Sequence, residues 1–347
     1  MNKSFIMNKS FIKLLATLSV ISASVGANAV DITGAGSSFI APVLTKWAEA
    51  YKKTSGTSVN YASIGSGGGI KQIREKTIDF GATDGPLKGP DLEKDGMVQF
   101  PAIVGGVVTV INVPGFKPNE LKLTGEVLAQ IYSGEVDNWN ATQIAALNPG
   151  LKLPDQAITV VTRSDSSGTT NIFTDYLTKS SKKWADSVGS GTTVKWPAMS
   201  TVGGKGNEGV SANVTRVKGS IGYVEFAYAK INNMTTTQLK NADGKFVSPS
   251  LAGFKAAAGG ANWSSTPGMG ISITNQPGAA SWPITGGTFI LVYKNPTDKV
   301  KAAETLKFFE WAFKTGDDIA TGLEYVVLPD SVTDYIAKNV WSSVVTK

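Results

Sequence analysis

The run Val59-Asn-Tyr-Ala-Ser-Ile64, Gly65-Ser-Gly-Gly-Gly69, Ile70-Lys-Gln-Ile73, followed by Phe80-Gly-Ala-Thr-Asp84, reads in order as a strand, a glycine turn opening a helix, and a strand that ends on a carboxylate. That order predicts a parallel sheet, whose ligands sit outside the carboxyl ends of the strands. Upstream, Ile32-Thr33 closes a first strand, and Ile40, Val43, Leu44, Trp47 and Tyr51 recur at helical spacing until Gly56 stops the pattern. Downstream, the apolar run Ile103 to Ile111, a helix at Glu126 to Tyr132, a strand at Ile158 to Thr162 and a helix at Thr169 to Leu177 begin a second α/β unit. Ile221 to Glu225 and Ile284 to Tyr293 are further strands. Val300, Ala303, Leu306, Phe308, Phe309 and Ala312 mark a terminal helix with Pro296 expected in its first turn. Ala256 to Asn275 reads as surface turns, with a lid as the alternative.

Three segments repeat one motif: Gly34-Ala-Gly-Ser-Ser-Phe39, Gly65-Ser-Gly-Gly-Gly69 and Arg163-Ser-Asp-Ser-Ser-Gly-Thr169 each follow a strand and precede a helix. A helix N-terminus presents free N–H groups and partial positive charge, so each is a plausible anion cradle. Taken singly, such a turn is ordinary turn chemistry. Together with Arg163 and the flanking Asp84, the three describe a site that wraps a small tetrahedral oxyanion. Asp165 is expected to orient Arg163. Lys205, in the glycine-rich loop Gly203 to Asn207, is the rival cation.

Residues 1–29 read as a secretory signal, with Lys3, Lys9 and Lys13 as its basic region, Leu14 to Val20 as its apolar stretch and Ala27-Asn28-Ala29 as its cleavage site. Met1 to Ile6 recurs as Met7 to Ile12, which leaves two candidate starts. The chain carries no cysteine, hence no lipid-attachment thiol and no disulfide, and has no later apolar run of membrane-spanning length. A soluble protein of the Gram-negative periplasm is expected, large enough for two domains. Removing the three signal lysines from 33 basic and 27 acidic residues leaves a net charge of +3, too mild to argue for a nucleic-acid partner.

The composition also argues against catalysis. Zero histidine removes the usual general base and most zinc or copper sites, and zero cysteine removes thiol chemistry. Ser66 and Ser167 are not in Gly-x-Ser-x-Gly, because Ile64 and Asp165 occupy the positions two before them. Gly204-Lys205 is followed by Gly206, so there is no P-loop. Asp91-x-Glu93-x-Asp95-Gly96 imitates a calcium loop but has Ala102 where a bidentate glutamate is needed, and reads as a solvated turn. Asp84 has a use beside an anion: phosphate near neutral pH still carries an O–H that the carboxylate can accept, whereas sulfate has none to give.

These residues, with Thr33 to Phe39, Val59-Asn-Tyr61, Gly69 to Ile73, Asp79 to Asp84, Leu147 to Pro154, Gly203 to Asn207, Ile221 to Glu225 and Leu328 to Val332, resemble the phosphate-binding proteins of bacterial phosphate-specific ABC transporters over nearly all of residues 31–335. The resemblance implies a two-domain α/β periplasmic-binding-protein fold of type II with the ligand in the cleft. It places domain one at 30–105 plus 283–347 and domain two at 106–282. It also implies dehydrated phosphate held by Ser38, the backbone N–H of Phe39, Ser66, Asp84, Arg163, Ser167, Gly168 and Thr169. Ser38 stands where threonine is frequent and Ile40 where proline is frequent. A monomeric receptor, free of cofactor and metal, that delivers phosphate to membrane permease subunits is the expectation. A phosphoester-processing enzyme and a surface polyanion-binding or adhesion protein are the alternatives.

Overall fold

The computed structural model describes Met1 and residues 30–347; the expected signal segment otherwise lies outside the described residues. In chain order the strands are β1 Ile32–Gly36, β2 Val59–Ser63, β3 Phe80–Thr83, β4 Met97–Asn112, β5 Lys122–Leu123, β6 Thr159–Arg163, β7 Thr201–Gly204, β8 Ser220–Glu225, β9 Thr235–Thr236, β10 Gln238–Lys240, β11 Phe246–Val247 and β12 Thr285–Tyr293. The main sheet runs β2-β1-β3-β12-β4-β8-β6-β7, with β9 on β4, and β11-β10-β5 form a small separate sheet.

The expected parallel order holds at both ends of this sheet and fails in its middle. β1 pairs in parallel with β2 and β3, and β6 with β7 and β8. Between them β12 runs antiparallel to β3 and β4, and β4 antiparallel to β8. β4 changes partner along its length: Met97 to Gly106 pair with β12, and Val107 to Asn112 pair with β8. One strand therefore belongs to both lobes. It is buried nearly throughout, so it reads as a continuous apolar run without the alternation that would betray its neighbours.

Each lobe has its own aromatic core. Phe80 and Phe100 pack edge-on against Phe309 of helix Lys299–Thr315, with ring centroids 5.3 and 5.6 Å apart. In the other lobe Phe173 stacks on Tyr223 at 4.3 Å. Helix Ala41–Ser55 carries Pro42 in its first turn and ends at Gly56, as the periodicity predicts.

Three local expectations are corrected. Pro296 lies before the terminal helix, which starts at Lys299 because Asp298 caps it, accepting a 3.0 Å bond from the Lys301 N–H. Ala256 to Asn275 is no set of surface turns: it holds the end of helix Leu251–Ala258 and two short 3₁₀ turns, and Trp263, Met269 and Ile273 are buried. The acidic stretch at Asp91 is a short helix, Gly89–Asp95, which buries Leu92.

Candidate functional site

The three sequence segments meet where the lobes face each other. β1 ends at Gly36 and leads through Ser37, Ser38 and Phe39 into helix Ala41–Ser55; Gly65 precedes helix Ser66–Arg74; β6 ends at Arg163, and helix Gly168–Ser180 begins five residues later. Ser38, Phe39, Ser66, Asp84, Arg163, Ser167 and Thr169 are all buried. Gly65 has φ +86°, and a Cβ there would lie 2.1 Å from Oδ2 of Asp165 in the other lobe. A Cβ on Gly168 would lie 2.5 Å from Cβ of Asp84 and 2.6 Å from its Oδ2. Only glycine lets the carboxylate approach this helix N-terminus so closely.

The hydrogen bonds show what the site lacks. Oγ of Ser66 accepts from the N–H groups of Asp84 (3.2 Å) and Gly168 (3.0 Å). Oγ of Ser38 accepts from the backbone N–H and side-chain amide of Asn207, at 3.0 and 2.8 Å. Oγ1 of Thr169 accepts from the same amide (3.2 Å) and from Nη1 of Arg163 (3.3 Å), while Oγ of Ser167 caps its helix by accepting from Thr170 at 3.1 Å. Each hydroxyl is thus an acceptor, and none of the four has an acceptor for its own proton among the described residues. Buried polar groups are ordinarily paired. Four donors seek one acceptor.

Arg163 and Asp165 form a two-pronged ion pair, Nε to Oδ1 at 2.8 Å and Nη2 to Oδ2 at 2.6 Å, and Oδ1 of Asp165 also accepts from the Gly206 N–H at 3.0 Å. Burial works against the Asp165 charge, but Arg163 and Gly206 outweigh it and hold the carboxyl below its ordinary range. Arg163 is thereby fixed with its charge partly compensated. The Lys205 side chain is exposed and has no hydrogen bond or ion pair among the described residues, while its neighbours Gly206 and Asn207 reach inward.

Asp84 is the acid of the site. Its Oδ1 accepts from the hydroxyls of Ser37 (2.5 Å) and Thr288 (2.6 Å); its Oδ2 is buried with no hydrogen-bond partner among the described residues. Burial pushes its pKa up, and those two bonds, then Arg163 and the Ser66 hydroxyl, pull it back, leaving it at about 6. Near neutral pH the group is therefore a buried carboxylate with one oxygen waiting for a donor.

A cluster of buried hydroxyls beside a helix N-terminus, a guanidinium and one carboxylate oxygen invites comparison with known oxyanion receptors. The sequence pattern of the PBP superfamily domain matches residues 22–315. The phosphate-binding protein PstS of Pasteurella multocida is 52% identical over 308 residues, 89% of this chain and 89% of that protein; PstS of Haemophilus influenzae is 50% identical over 317 residues, 91% and 94% of the two chains. The chain belongs to the PstS family. A solved periplasmic phosphate-binding protein with phosphate bound superposes with a TM-score of 0.72 at 20% identity, over 90% of this chain and 94% of that one. A phosphate-binding protein from Stenotrophomonas maltophilia gives 0.68 at 20%, over 89% and 93%. At that identity the likeness speaks for fold alone, and the fold is the two-domain α/β architecture of type II periplasmic binding proteins.

Sequence reasoning named the hydroxyls that meet in the cleft of this PstS relative but not their partners. Asn207, which ties Ser38 to Thr169 and also accepts from the Glu225 N–H at 2.9 Å, sat unnoticed in a loop singled out for its lysine. Ser37 adjoins Ser38, and nothing in the sequence ranks one above the other. Tyr228 donates to the Ser38 carbonyl (2.8 Å) and Tyr325 to the Phe39 carbonyl (2.6 Å), contacts across 190 and 286 residues with no local signature.

Proposed function

We propose that this chain is a receptor, not an enzyme, that binds inorganic phosphate between its two lobes and delivers it to the membrane permease subunits of an ABC transporter. Phosphate contacts Ser38, the Phe39 N–H, Ser66, Asp84, Arg163, Ser167, Gly168 and Thr169, with Asp165 behind Arg163. The observation that carries the reading is the imbalance in the cleft: among the described residues, four buried hydroxyls have no acceptor and one buried carboxylate oxygen has no donor. Monohydrogen phosphate supplies both needs, offering several acceptor oxygens and one O–H. The names of the PstS relatives agree with this ligand. No helix among the described residues is long and apolar enough to cross a membrane, which fits a receptor exported by residues 1–29 and acting as a monomer in the periplasm. We take domain one as 30–105 plus 283–347 and domain two as 106–282, a division supported by the change of β4 partner between Gly106 and Val107.

The test is calorimetric titration of ligand-stripped protein with phosphate and then sulfate. Phosphate should bind and sulfate should not at equal concentration, and Asp84→Asn should narrow that gap, since an amide donates as well as accepts. Equal binding of both ions by the parent chain would remove the role given to Asp84, and no binding of phosphate would remove the function.

A further inference from the structure

We propose that Ser37 and Thr288, which need not touch the ligand, are the positioning residues that set its selectivity: from two sides they fix Oδ1 of Asp84 and so reserve Oδ2 for a ligand that brings its own proton. The inference rests on the phosphate reading and extends it to residues outside the contact set.

It follows from counting protons. The hydroxyl of Ser37 donates its single proton to Oδ1 of Asp84 at 2.5 Å; its oxygen also accepts from the Phe39 N–H at 2.9 Å, a bond that Phe39 gives up when it turns to phosphate. The hydroxyl of Thr288 donates to the same oxygen at 2.6 Å. With two donors aimed at it, Oδ1 has no room to hold a proton, so any proton that Asp84 binds must sit on Oδ2 and face the ligand. The carboxyl then has two states of opposite preference. Ionised, it requires a ligand O–H, as in hydrogen phosphate; protonated, it donates and accommodates a fully ionised oxyanion such as sulfate. Ser37 and Thr288 favour the first state.

Both side chains are held in place by the fold and shielded from water. The Ser37 peptide is gripped on each side, its N–H donating to the Ala82 carbonyl (2.9 Å) and its own carbonyl accepting from Tyr61 Oη (2.7 Å). Thr288 sits where β12 slips register against β4: Thr288 pairs with Ile103 and Phe289 with Pro101, which has no N–H to give to the ladder. Such an irregularity re-aims a side chain, here toward Asp84 from the central strand of the sheet. The other ionisable groups facing Asp84 are Arg163 at the end of β6, which favours its charge, and Glu225, Tyr61 and Tyr325, none of which supplies a cation. Selectivity is left to the hydroxyls around Asp84, those of Ser37 and Thr288 ahead of Ser66, and to Arg163, which attracts either ion.

The experiment is calorimetry with phosphate and with sulfate between pH 5 and 8 on the parent chain, Thr288→Val, Thr288→Ser and Ser37→Ala, each checked for folding by its melting curve. Comparing each variant with the parent at one pH cancels the titration of phosphate itself. Thr288→Val should weaken phosphate about ten- to a hundred-fold, as for a lost bond to a charged group, and leave sulfate unchanged or stronger. The pH below which sulfate begins to bind should rise by about one unit, and Thr288→Ser should restore both readings. If Thr288→Val fails to fold, Ser37→Ala is read by the same criteria. Loss of both ions in proportion, with no movement in the onset of sulfate binding, overturns the proposal. A parent chain that ignores phosphate instead overturns the functional reading on which it stands.

Discussion

Asp84 and Glu225 are both buried carboxyls, each with one oxygen lacking a partner, yet their surroundings send them opposite ways. Burial is the first cause acting on both, and it raises both. Around Asp84 two hydroxyls and a guanidinium answer it, and the group settles at about 6. Around Glu225 the answer is one phenol, Tyr325 at 2.9 Å, and the N–H groups of Ala227 and Phe226, while the charge of Asp84 adds to the push; its pKa is driven well above the ordinary carboxylate range. The first is an ionised acceptor near neutrality. The second, in the seam between lobes and joined through Tyr325 to the Phe39 carbonyl, has its neutral form favoured. Burial is common to both, and the number and charge of the donors decide how far each carboxyl is pushed toward its neutral form.

Arg163 is where that difference should break most widely. Its guanidinium is the principal full positive charge at the site and one of the groups that keep Asp84 ionised, so Arg163→Ala acts twice. Truncating one partner of a buried, hydrogen-bonded charge pair costs about 2 to 5 kcal/mol, which predicts roughly thirty-fold to a few thousand-fold weaker phosphate binding by calorimetry. Binding should survive, because the helix N-termini and hydroxyls remain. A loss of threefold or less would mean that the dipoles hold the anion almost unaided.

A second test needs no ligand. A carboxyl whose folded pKa lies above its unfolded value binds more protons when folded, so its stabilisation is fully present below the unfolded pKa and is lost as pH rises through the folded one. For Asp84 that window runs from 3.8 to about 6, and the difference corresponds to roughly 3 kcal/mol for the ligand-free protein. Denaturant unfolding across this range should show the decline, and Asp84→Asn should flatten it. Glu225→Gln should also reduce the slope, because a carboxyl whose folded pKa is raised holds its proton while its unfolded counterpart ionises, and so contributes with the same sign as Asp84. A slope undiminished by Asp84→Asn would overturn the raised pKa of Asp84.

The sequence carries the acceptor half of this comparison openly and hides the rest. Ser38, Ser66 and Ser167 lie in glycine turns at strand ends, where local chemistry alone marks an anion cradle, and Asp84 ends a short apolar strand. Thr288 lies within the buried run of β12, and Tyr325 just past a short helix, each more than 200 residues from its partner; only the fold brings them in. The sheet order is hidden for a related reason. β4 and β12 are buried on both faces, so neither shows the alternation from which pairing could be guessed, and the antiparallel middle of a sheet with parallel flanks becomes visible only once the chain is folded.

Lys205 should give the smallest effect, and it tests whether proximity in sequence or geometry governs the charge at the site. In sequence it rivals Arg163, sitting in a glycine-rich loop two residues before Asn207. In the structure the backbone turns the loop so that the Gly206 N–H and Asn207 face the cleft while the lysine side chain is exposed. Substitution of an exposed side chain with no specific partner changes stability by no more than about 0.5 kcal/mol, and an effect of that size on binding is about twofold. Its field at the ligand is further screened by solvent and salt, so whatever contribution it makes should fade at high ionic strength, whereas that of buried Arg163 should persist. Calorimetry on Lys205→Ala at low and high salt separates the two. A loss exceeding that of Arg163→Ala, undiminished by salt, would place the principal charge of the site on the loop and make the buried Arg163–Asp165 pair a structural brace.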